Sequence, residues 1–249
     1  MHGDADIAAI GALVADRGRA RILLALGDGR ALPATVLADE AGVAASTASA
    51  HLSRLVEGGL LSAERHGRHR YFRLAGPEVG ELIESLARIS PAAPVRSLKQ
   101  GNKAHAVRFA RTCYDHLAGM LGTKLMEALL EREVLTGGDG VFDPASADAD
   151  RLAAPGYDVD YRLTRAGVHD LEAFGIDFGT LPSRRPLVRY CVDWSEQRHH
   201  LAGSLGAAIA VRMMELGWVR RAQRSRALHV SATGYVGLRE QFGIDLSPR

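Results

Sequence analysis

Residues 43–74 read VAASTASAHLSRLVEGGLLSAERHGRHRYFRL, and this stretch decides the fold of the first part of the chain. Its first half carries apolar residues at i, i+4, i+7 and i+8, the spacing that places side chains along one face of a helix. These apolar residues are Ala48, Leu52, Leu55 and Val56. With Ser46 as its N-cap, the pattern predicts a helix over Thr47–Glu57 that the Gly58-Gly59 pair ends.

A two-stranded hairpin is predicted directly after this helix. Leu60–Glu64 and His69–Leu74 have the composition of short strands, and His66–Arg68 form the turn between them. Three further amphipathic helices are predicted around these elements: Arg17–Leu26, Leu32–Ala41 and Glu78–Ile89. The order helix, turn, helix, hairpin, helix is that of a winged helix-turn-helix, so residues 1–90 are predicted to form a DNA-binding domain.

The second helix of a helix-turn-helix lies in the major groove, so the face opposite its buried side chains is the candidate for base contacts. That face carries short side chains, a histidine and an arginine: Ser46, Thr47, Ser49, Ala50, His51, Ser53 and Arg54. The hairpin adds basic residues suited to phosphates or the minor groove: Arg65, Arg68, His69 and Arg70. Each feature alone would suit a solvated surface, and His51, at the border of the buried face, would equally suit a structural hydrogen bond. Together they predict binding to double-stranded DNA.

These segments resemble the ArsR/SmtB-type transcription regulators. The resemblance covers about residues 5–90 and rests on the following segments: Arg19–Leu26, Val43–Leu55, Gly59–Leu61, Arg65–Arg68 and Tyr71–Leu74. It implies a homodimer that places one wing per protomer on a palindromic operator. It also implies repression that a signal relieves.

The chain departs from that family in its metal ligands. Many members bind metal through a Cys-x-Cys motif in the helix before the DNA-contacting one, whereas here that helix has the sequence LPATVLADEA. Others use Asp and His on the closing helix, but Glu78–Ile89 contains no histidine, although Glu81 and Glu84 are present. The resemblance therefore carries over no signal to this chain.

The rest of the chain, after a linker at residues 91–107 that becomes helical, contains an internal repeat. The pattern R-x-C-x-D followed by H-L-A-G-x-L-G occurs in residues 111–122 and again, with an insertion, in residues 189–206. Such repetition marks two copies of one supersecondary unit. Each copy is predicted as helix, helix, strand, loop, strand, helix, which gives two tandem winged-helix-like units at residues 108–182 and 183–249. The predicted fold class is therefore mainly α with small β-hairpins.

The repeated pattern supplies a second candidate site. Each copy contributes a cysteine, an aspartate and a histidine: Cys113, Asp115 and His116 in the first, Cys191, Asp193 and His200 in the second. These groups suit zinc or another transition metal, a histidine or cysteine could ligate haem iron, and an accessible thiol could sense oxidants or a small effector. The alternative is that the cysteines are small core residues. The basic turn at Arg220–Arg226 is predicted to be solvated.

Composition narrows the functional classes. The 249 residues carry a formal net charge of +2, which argues against a non-specific architectural DNA binder. The sequence has no P-loop, HExxH or GxSxG motif, which argues against an enzyme. The alternative hypothesis is an enzyme or redox protein that depends on a metal, haem or thiol and uses the Cys/Asp/His sets. The chain starts without a signal peptide, lacks a membrane-spanning apolar run and has two cysteines. We therefore expect a cytoplasmic protein with free thiols and no membrane partner.

Overall fold

The computed structural model describes residues 4–66, 69–91, 94–95, 97–142, 159–222 and 225–246. The chain divides into two compact units, Met1–Ile83 and Glu84–Arg249. Each unit has a hydrophobic core of its own. The finer division of the second unit at residue 182 stays a prediction.

The N-terminal unit consists of helices and one three-stranded antiparallel sheet. In chain order its elements are α1 (Ile7–Val14), α2 (Arg17–Leu26), β1 (Leu32–Pro33), α3 (Ala34–Ala41), α4 (Ala45–Glu57), β2 (Leu61–His66), β3 (His69–Leu74) and α5 (Pro77–Ile89), which continues past the unit boundary. The sheet has the order β1-β3-β2. Helices α2 to α4, followed by the hairpin of β2 and β3, form the predicted winged helix-turn-helix.

Local signals determine where these helices begin and end. Asp16 caps α2 by accepting a hydrogen bond from the Arg19 amide at 2.9 Å, and Gly42, with a φ of 70°, ends α3 in the left-handed conformation. Helix α4 begins directly after Ala44 and has no side-chain cap, so the prediction of Ser46 as its N-cap is wrong. The extended backbone of Ala44 leads the chain into the helix without help from a side chain.

The start of the predicted helix at residues 32–41 is a strand instead. Leu32 pairs with Phe72 of β3, and α3 begins only after Pro33. Proline lacks the amide hydrogen that a central strand needs, but it fits a short edge strand and the entry to a helix.

The core of the N-terminal unit confirms the buried faces predicted from the sequence, except that Val56 is only partly buried. The inward side chains of α2 and α4 are buried: Ile22, Leu23, Leu26, Ala48, Leu52 and Leu55. All of them except Ala48 belong to a core cluster that also includes Leu37 of α3 and Phe72 and Leu74 of β3. Burying a large apolar side chain stabilises a fold by about 1.5–3 kcal/mol. Only one side of α4 therefore packs in the core, and the opposite side is left exposed.

The C-terminal unit contains the rest of α5, then α6 (Leu98–Phe109), and then one order of elements twice. The first copy comprises β4 (Arg111–Cys113), β5 (His116–Ala118), α7 (Gly119–Glu131), β6 (Leu135–Thr136), β7 (Arg162–Leu163) and α8 (Arg165–Phe174). The second comprises β8 (Arg189–Val192), β9 (His199–Ala202), α9 (Gly203–Glu215), β10 (Val219–Arg221), β11 (Leu228–Val230) and α10 (Ala232–Phe242). A short 3-10 helix, Phe178–Thr180, lies between the copies in the chain.

The two copies share their helix ends as well as their order. Thr164 and Ser231 accept hydrogen bonds from the Gly167 and Gly234 amides, at 2.9 and 3.0 Å, and so cap α8 and α10. Both helices end at a left-handed glycine. The first helix predicted for each copy is wrong, because the structure has a two-stranded hairpin there, which holds the cysteine and the histidine of that copy. The β-branched and aromatic residues of the segments RTCY and RYCV favour strands.

Both copies contribute to the core of the C-terminal unit. Helices α7 and α9 supply many of its side chains: Leu121, Leu125, Leu129, Leu205, Ile209 and Met213. Within the described parts of the chain, no helix combines the length and the apolar character needed to cross a membrane.

Candidate nucleic-acid interface and cysteine-histidine cluster

The polar face of α4 is exposed. All but one of the α4 side chains predicted to contact DNA are exposed: Ser46, Thr47, Ser49, Ala50, Ser53 and Arg54. The opposite side of the helix is held in the core by Ala48, Leu52 and Leu55. Because the exposed side chains are mostly short, a partner can approach the helix backbone closely at this face.

His51 is turned toward its own unit. Its Nε2 atom lies 3.5 Å from Oδ1 of Asp16, the residue that caps α2. The same ring covers Gly18, where an added Cβ would lie 2.8 Å from Nε2. His51 is half-buried, and these contacts favour its structural role over a contact with a base.

The hairpin of β2 and β3 carries positive charge near its turn. Arg65 and Arg70 lie directly opposite each other in the strand register, and both are exposed. Like charges in such a cross-strand pair repel each other, and a phosphate between them would offset the repulsion. Of the other predicted hairpin residues, Arg68 lies outside the described residues and His69 is the first residue of β3.

In the C-terminal unit, the two hairpins bring the repeated cysteines and histidines together. Cys113 is the cross-strand partner of His116, and Cys191 is that of His200. One donor atom from each of these four residues lies within 4.8 Å of all the others. The centres of the two imidazole rings are 5.1 Å apart. We call these four residues the Cys/His cluster.

The two predicted aspartates lie behind the histidines. Asp115 Oδ1 is 3.2 Å from Nδ1 of His116, and Asp193 Oδ2 is 3.5 Å from Nδ1 of His200. Each carboxylate also accepts a hydrogen bond from an arginine: Arg185 at 3.0 Å from Asp115, and Arg111 at 2.9 Å from Asp193. The aspartates are thus fixed beside the cluster and are not among its four donors.

Burial and neighbouring groups together set the protonation of the cluster. Against burial, which lowers it, Cys113 and Asp115 raise the pKa of His116 to about 9. A hydrogen bond with Cys191 and burial raise the pKa of the Cys113 thiol well above its usual range. Burial lowers the pKa of His200 to about 3, so its imidazole is neutral near pH 7. Among the described residues, the Nε2 atom of His116 and both ring nitrogens of His200 have no hydrogen-bond partner. These three buried nitrogen atoms are therefore not hydrogen-bonded to any protein group that the structure describes.

Glycines of α7 and α9 lie where the two copies meet at the cluster. A Cβ added at Gly122 of α7 would lie 3.4 Å from the Cβ of His200, and one at Gly206 of α9 would lie 3.3 Å from the Cβ of His116. The helix of each copy therefore packs against the histidine of the other copy.

Comparisons with known proteins identify a helix-turn-helix domain in the N-terminal part of the chain. Residues 14–62 match a helix-turn-helix domain family. Over 241 residues the chain is 38% identical to "Uncharacterized HTH-type transcriptional regulator YdfF" of Bacillus subtilis. This match covers 97% of the chain and 99% of the relative. The chain belongs to this family of HTH-type transcriptional regulators. The regulator is thus a DNA-binding transcription factor and not an enzyme.

Two further relatives match about a third of the regulator each. It is 40% identical over 78 residues to the HTH-type transcriptional regulator Rv0324 of Mycobacterium tuberculosis, a match that covers 31% of this chain and 34% of that protein. A solved homodimeric winged helix-turn-helix DNA-binding domain from Mycobacterium bovis, described as a possible ArsR-family regulator, is 33% identical. That match covers 33% of this chain and 83% of the other, with a TM-score of 0.29. The family assignment rests on the full-length relative.

The sequence did not predict one buried ionic network of the regulator. Glu84 of α5 accepts a hydrogen bond from Arg226 and lies 3.6 Å from Nη2 of Arg111. The same Nη2 atom donates to Asp193, the carboxylate behind His200. A continuous chain of charged groups therefore runs from α5 to the Cys/His cluster.

Arg226 is buried in this network, so the prediction of a solvated turn at Arg220–Arg226 is wrong for this residue. Its charge is matched by Glu84, and its guanidinium carbon lies 6.0 Å from the ring centre of Trp194. A signal was present in the sequence, because Glu84 follows the inward residue Ile83 of an amphipathic helix. An acid at such a position needs a cationic partner elsewhere in the chain.

Proposed function

We propose that the regulator binds a palindromic DNA operator as a homodimer and represses transcription until its C-terminal repeat pair receives a signal. The observation that carries this proposal is the exposed, hydroxyl-rich face of α4, followed in the chain by the basic hairpin of β2 and β3. Helix α4 would lie in the major groove, and the hairpin would contact phosphates or the adjacent minor groove.

Specificity and affinity are expected to come from different side chains. Thr47 and Ser49 lie in the first turns of α4. The Thr47 hydroxyl can donate and accept hydrogen bonds at base edges, and the Ser49 hydroxyl, which donates to the Ala45 carbonyl oxygen at 3.0 Å, can accept them. Arg65 and Arg70 of the hairpin suit phosphates, which every DNA sequence offers. Removing a hydroxyl should therefore change the preferred sequence, whereas removing a hairpin cation should weaken binding to all sequences.

Helix α1 supports the proposal of a homodimer. Its sequence, IAAIGALV, is apolar. Ile10, Leu13 and Val14 pack against the core and are partly buried, but no residue of the helix is fully buried, and Ile7 is 79% exposed. The remaining exposed apolar surface of such a helix marks an interaction surface. A second copy of the chain is the occupant we infer, because two-fold symmetry then matches two copies of α4 to the two halves of a palindrome.

Helix α5 supports the proposal that the signal reaches the DNA-binding domain from the C-terminal repeat pair. This helix begins shortly after β3 and carries Glu84 into the buried network with Arg111 and Asp193. A ligand at the Cys/His cluster would act on a neighbour of Asp193. The perturbation could then pass along a contiguous set of charged groups to the helix that joins the two parts of the chain.

Selection of duplexes from a random DNA pool with the full-length protein tests this function. We expect enriched sites with two-fold symmetry, whose half-sites are about 10–10.5 base pairs, or a multiple of this, apart from centre to centre. Such a site, placed in the promoter of a reporter gene, should lower expression when the regulator is present. Failure to enrich any sequence, with equal affinity for all duplexes, would contradict the proposal.

Variants separate the two classes of contact. The double variant Thr47→Ala/Ser49→Ala should lose about 1–3 kcal/mol of discrimination between the selected site and a scrambled duplex. Arg65→Ala should weaken binding to both duplexes alike and reduce the slope of log K against log salt concentration by about 1. Arg239→Ala, at an exposed arginine of α10, is the matched control and should change neither quantity. Fluorescence anisotropy over a salt series measures both, and unchanged binding in the first two variants would refute this interface.

A further inference from the structure

We propose that the Cys/His cluster binds one divalent metal ion of the zinc class, with Cys113, His116, Cys191 and His200 as its four ligands. The ion would be the signal that the C-terminal repeat pair receives, so its regulatory consequence rests on the proposed function. Metal binding itself is measured without DNA, and the two can therefore fail separately.

The spacing of the donor atoms fits a single four-coordinate ion. The two cysteine sulfur atoms and one ring nitrogen of each histidine lie within 4.8 Å of one another. Around zinc, with bonds of about 2.3 Å to sulfur and about 2.0–2.1 Å to nitrogen, tetrahedral donor atoms are about 3.3–3.8 Å apart. The widest pair in the cluster needs to close by about 1 Å, which is within the reach of side-chain rotation.

The chemistry of the donors selects the class of metal. Two thiolates and two imidazoles form a ligand set that zinc takes in closed four-coordinate sites, whereas magnesium and calcium prefer oxygen ligands. Two thiolates also cancel the charge of a divalent ion, so the occupied site would be neutral and could stay buried. Four donors this close surround a bare ion and leave no room between them for the ring of a haem.

The buried histidines argue against a cluster that only fills the core. His200 and His116 are buried, and at least one ring nitrogen of each has no hydrogen-bond partner among the described residues. A buried polar atom without a partner is unfavourable, and each such atom calls for an explanation. Coordination would satisfy one nitrogen of each ring. The cysteines alone would serve equally well as small core residues, so the histidines carry the inference.

An aspartate lies near Nδ1 of the cluster histidine in both copies, and only the first pair makes a hydrogen bond. Asp115 and Asp193 lie beside Nδ1 of His116 and His200, at 3.2 and 3.5 Å, which leaves Nε2 of each ring for the ion. A carboxylate behind a metal-bound imidazole fixes the tautomer and the orientation of the ring. Asp115 and Asp193 are therefore positioning residues rather than ligands.

Neither copy of the repeat forms this site alone. Each hairpin supplies one Cys–His pair, held in register by its strands. The turns of these hairpins hold Tyr114 and Gln197 at φ values of 55° and 52°, in the left-handed region that disfavours residues with a side chain. Backbone strain of this kind concentrates at ligand sites, where the surrounding structure fixes it.

Titration of the full-length protein with cobalt tests the site. The protein is purified under reducing conditions, freed of metal with a chelator, titrated with Co²⁺ and then challenged with Zn²⁺. We expect one Co²⁺ per chain, intense visible bands typical of tetrahedral coordination, and a near-ultraviolet charge-transfer band from thiolate. Zn²⁺ should displace Co²⁺ and abolish these bands.

Variants assign the ligands. Cys113→Ser and His200→Gln should each weaken Co²⁺ binding by about 100-fold or more, because each removes a ligand from a closed site. Asp115→Asn should weaken binding by about 10–100-fold and leave the spectrum of bound Co²⁺ unchanged, as expected of a positioning residue. His169→Ala, at an exposed histidine of α8, is the matched control and should bind Co²⁺ like the parent. Circular dichroism shows which variants fold. The visible spectrum of Co²⁺ bound to the parent protein tests the metal site even if a variant fails to fold.

Three outcomes would overturn the proposal. The folded, reduced parent protein could take up no Co²⁺, or the spectrum of bound Co²⁺ could be unchanged in the folded Cys113→Ser variant. A protein that forms a Cys113–Cys191 disulfide and binds no metal when reduced would assign the cluster to thiol chemistry. Binding to the selected operator is measured on the same preparations. Loss of the metal result alone leaves the DNA-binding function standing, whereas non-specific DNA binding by the metal-free protein, with metal binding intact, overturns that function and not the site.

Discussion

The two candidate sites of the regulator place polar side chains in opposite environments. On α4, serine and threonine hydroxyls lie in solvent on one side of a helix, where they add little to the stability of the fold. In the C-terminal unit, His116, Asp193 and His200 are buried, where a polar group must be paired or must bind a ligand. The first site can therefore change without harm to the fold, whereas the second is part of a core.

The largest effect on stability is expected from a substitution on the buried side of α4, compared with one on its exposed side. Leu52→Ala should lower the free energy of unfolding by about 2–5 kcal/mol, because Leu52 is buried in the core and the change leaves a cavity. Ser53 directly follows Leu52 but lies on the exposed face. The free energy of unfolding of Ser53→Ala should therefore stay within about 0.5 kcal/mol of that of the parent. Urea denaturation followed by circular dichroism measures both. Equal destabilisation by the two variants would break the comparison, since the exposed face would then belong to the fold.

A smaller but clear loss is expected from the network behind the Cys/His cluster. Glu84→Gln should lower the free energy of unfolding by about 3 kcal/mol, because Arg111 and Arg226 would lose a buried countercharge. Glu81→Gln, one turn earlier on α5, is the matched control and should cost less than about 1 kcal/mol. The same urea denaturation measures this pair. Indistinguishable stabilities would show that the buried charges are already compensated without Glu84.

The α4 interface could be predicted from the sequence because its signals are local. The spacing of Ala48, Leu52 and Leu55 determines which side of the helix is buried, and all three are buried as predicted. The opposite side is then exposed by geometry alone. His51 is the instructive exception: it lies at the border of the two sides, and only the tertiary contact with Asp16 decides its role.

The Cys/His cluster could be predicted only as a set of residue types. The repeat pattern revealed a cysteine, an aspartate and a histidine in each copy, but not which of them converge. Convergence depends on a hairpin register that pairs Cys191 with His200 across an insertion, and on the packing of one copy against the other. The partners Glu84 and Arg226 are 142 residues apart, and no local pattern joins residues at that distance.

The smallest effect on stability concerns the backbone, which differs between the turns of the cluster hairpins and α4. Among the described residues, the non-glycine residues with positive φ are Tyr114, Glu133 and Gln197, and two of these lie in the turns of the cluster hairpins, whereas none lies in α4. Gln197→Gly should raise the free energy of unfolding by about 0.5 kcal/mol. Relief of the left-handed conformation contributes about 1–2 kcal/mol, and the greater flexibility of glycine in the unfolded chain offsets about 0.5–1 kcal/mol of it.

Gln197→Ala is the matched control for this gain. Both variants lose the hydrogen bond from the Gln197 side-chain amide to the Trp194 carbonyl oxygen, at 3.1 Å, and of the two only alanine keeps the left-handed strain. Its stability should equal that of the parent or fall slightly below it. A gain in the glycine variant without a gain in the alanine variant would locate the strain in the backbone of the turn. A loss of stability in both variants would mean that the side-chain hydrogen bond, and not the backbone conformation, governs the turn. The cluster hairpin would then be held as α4 is, by ordinary side-chain contacts.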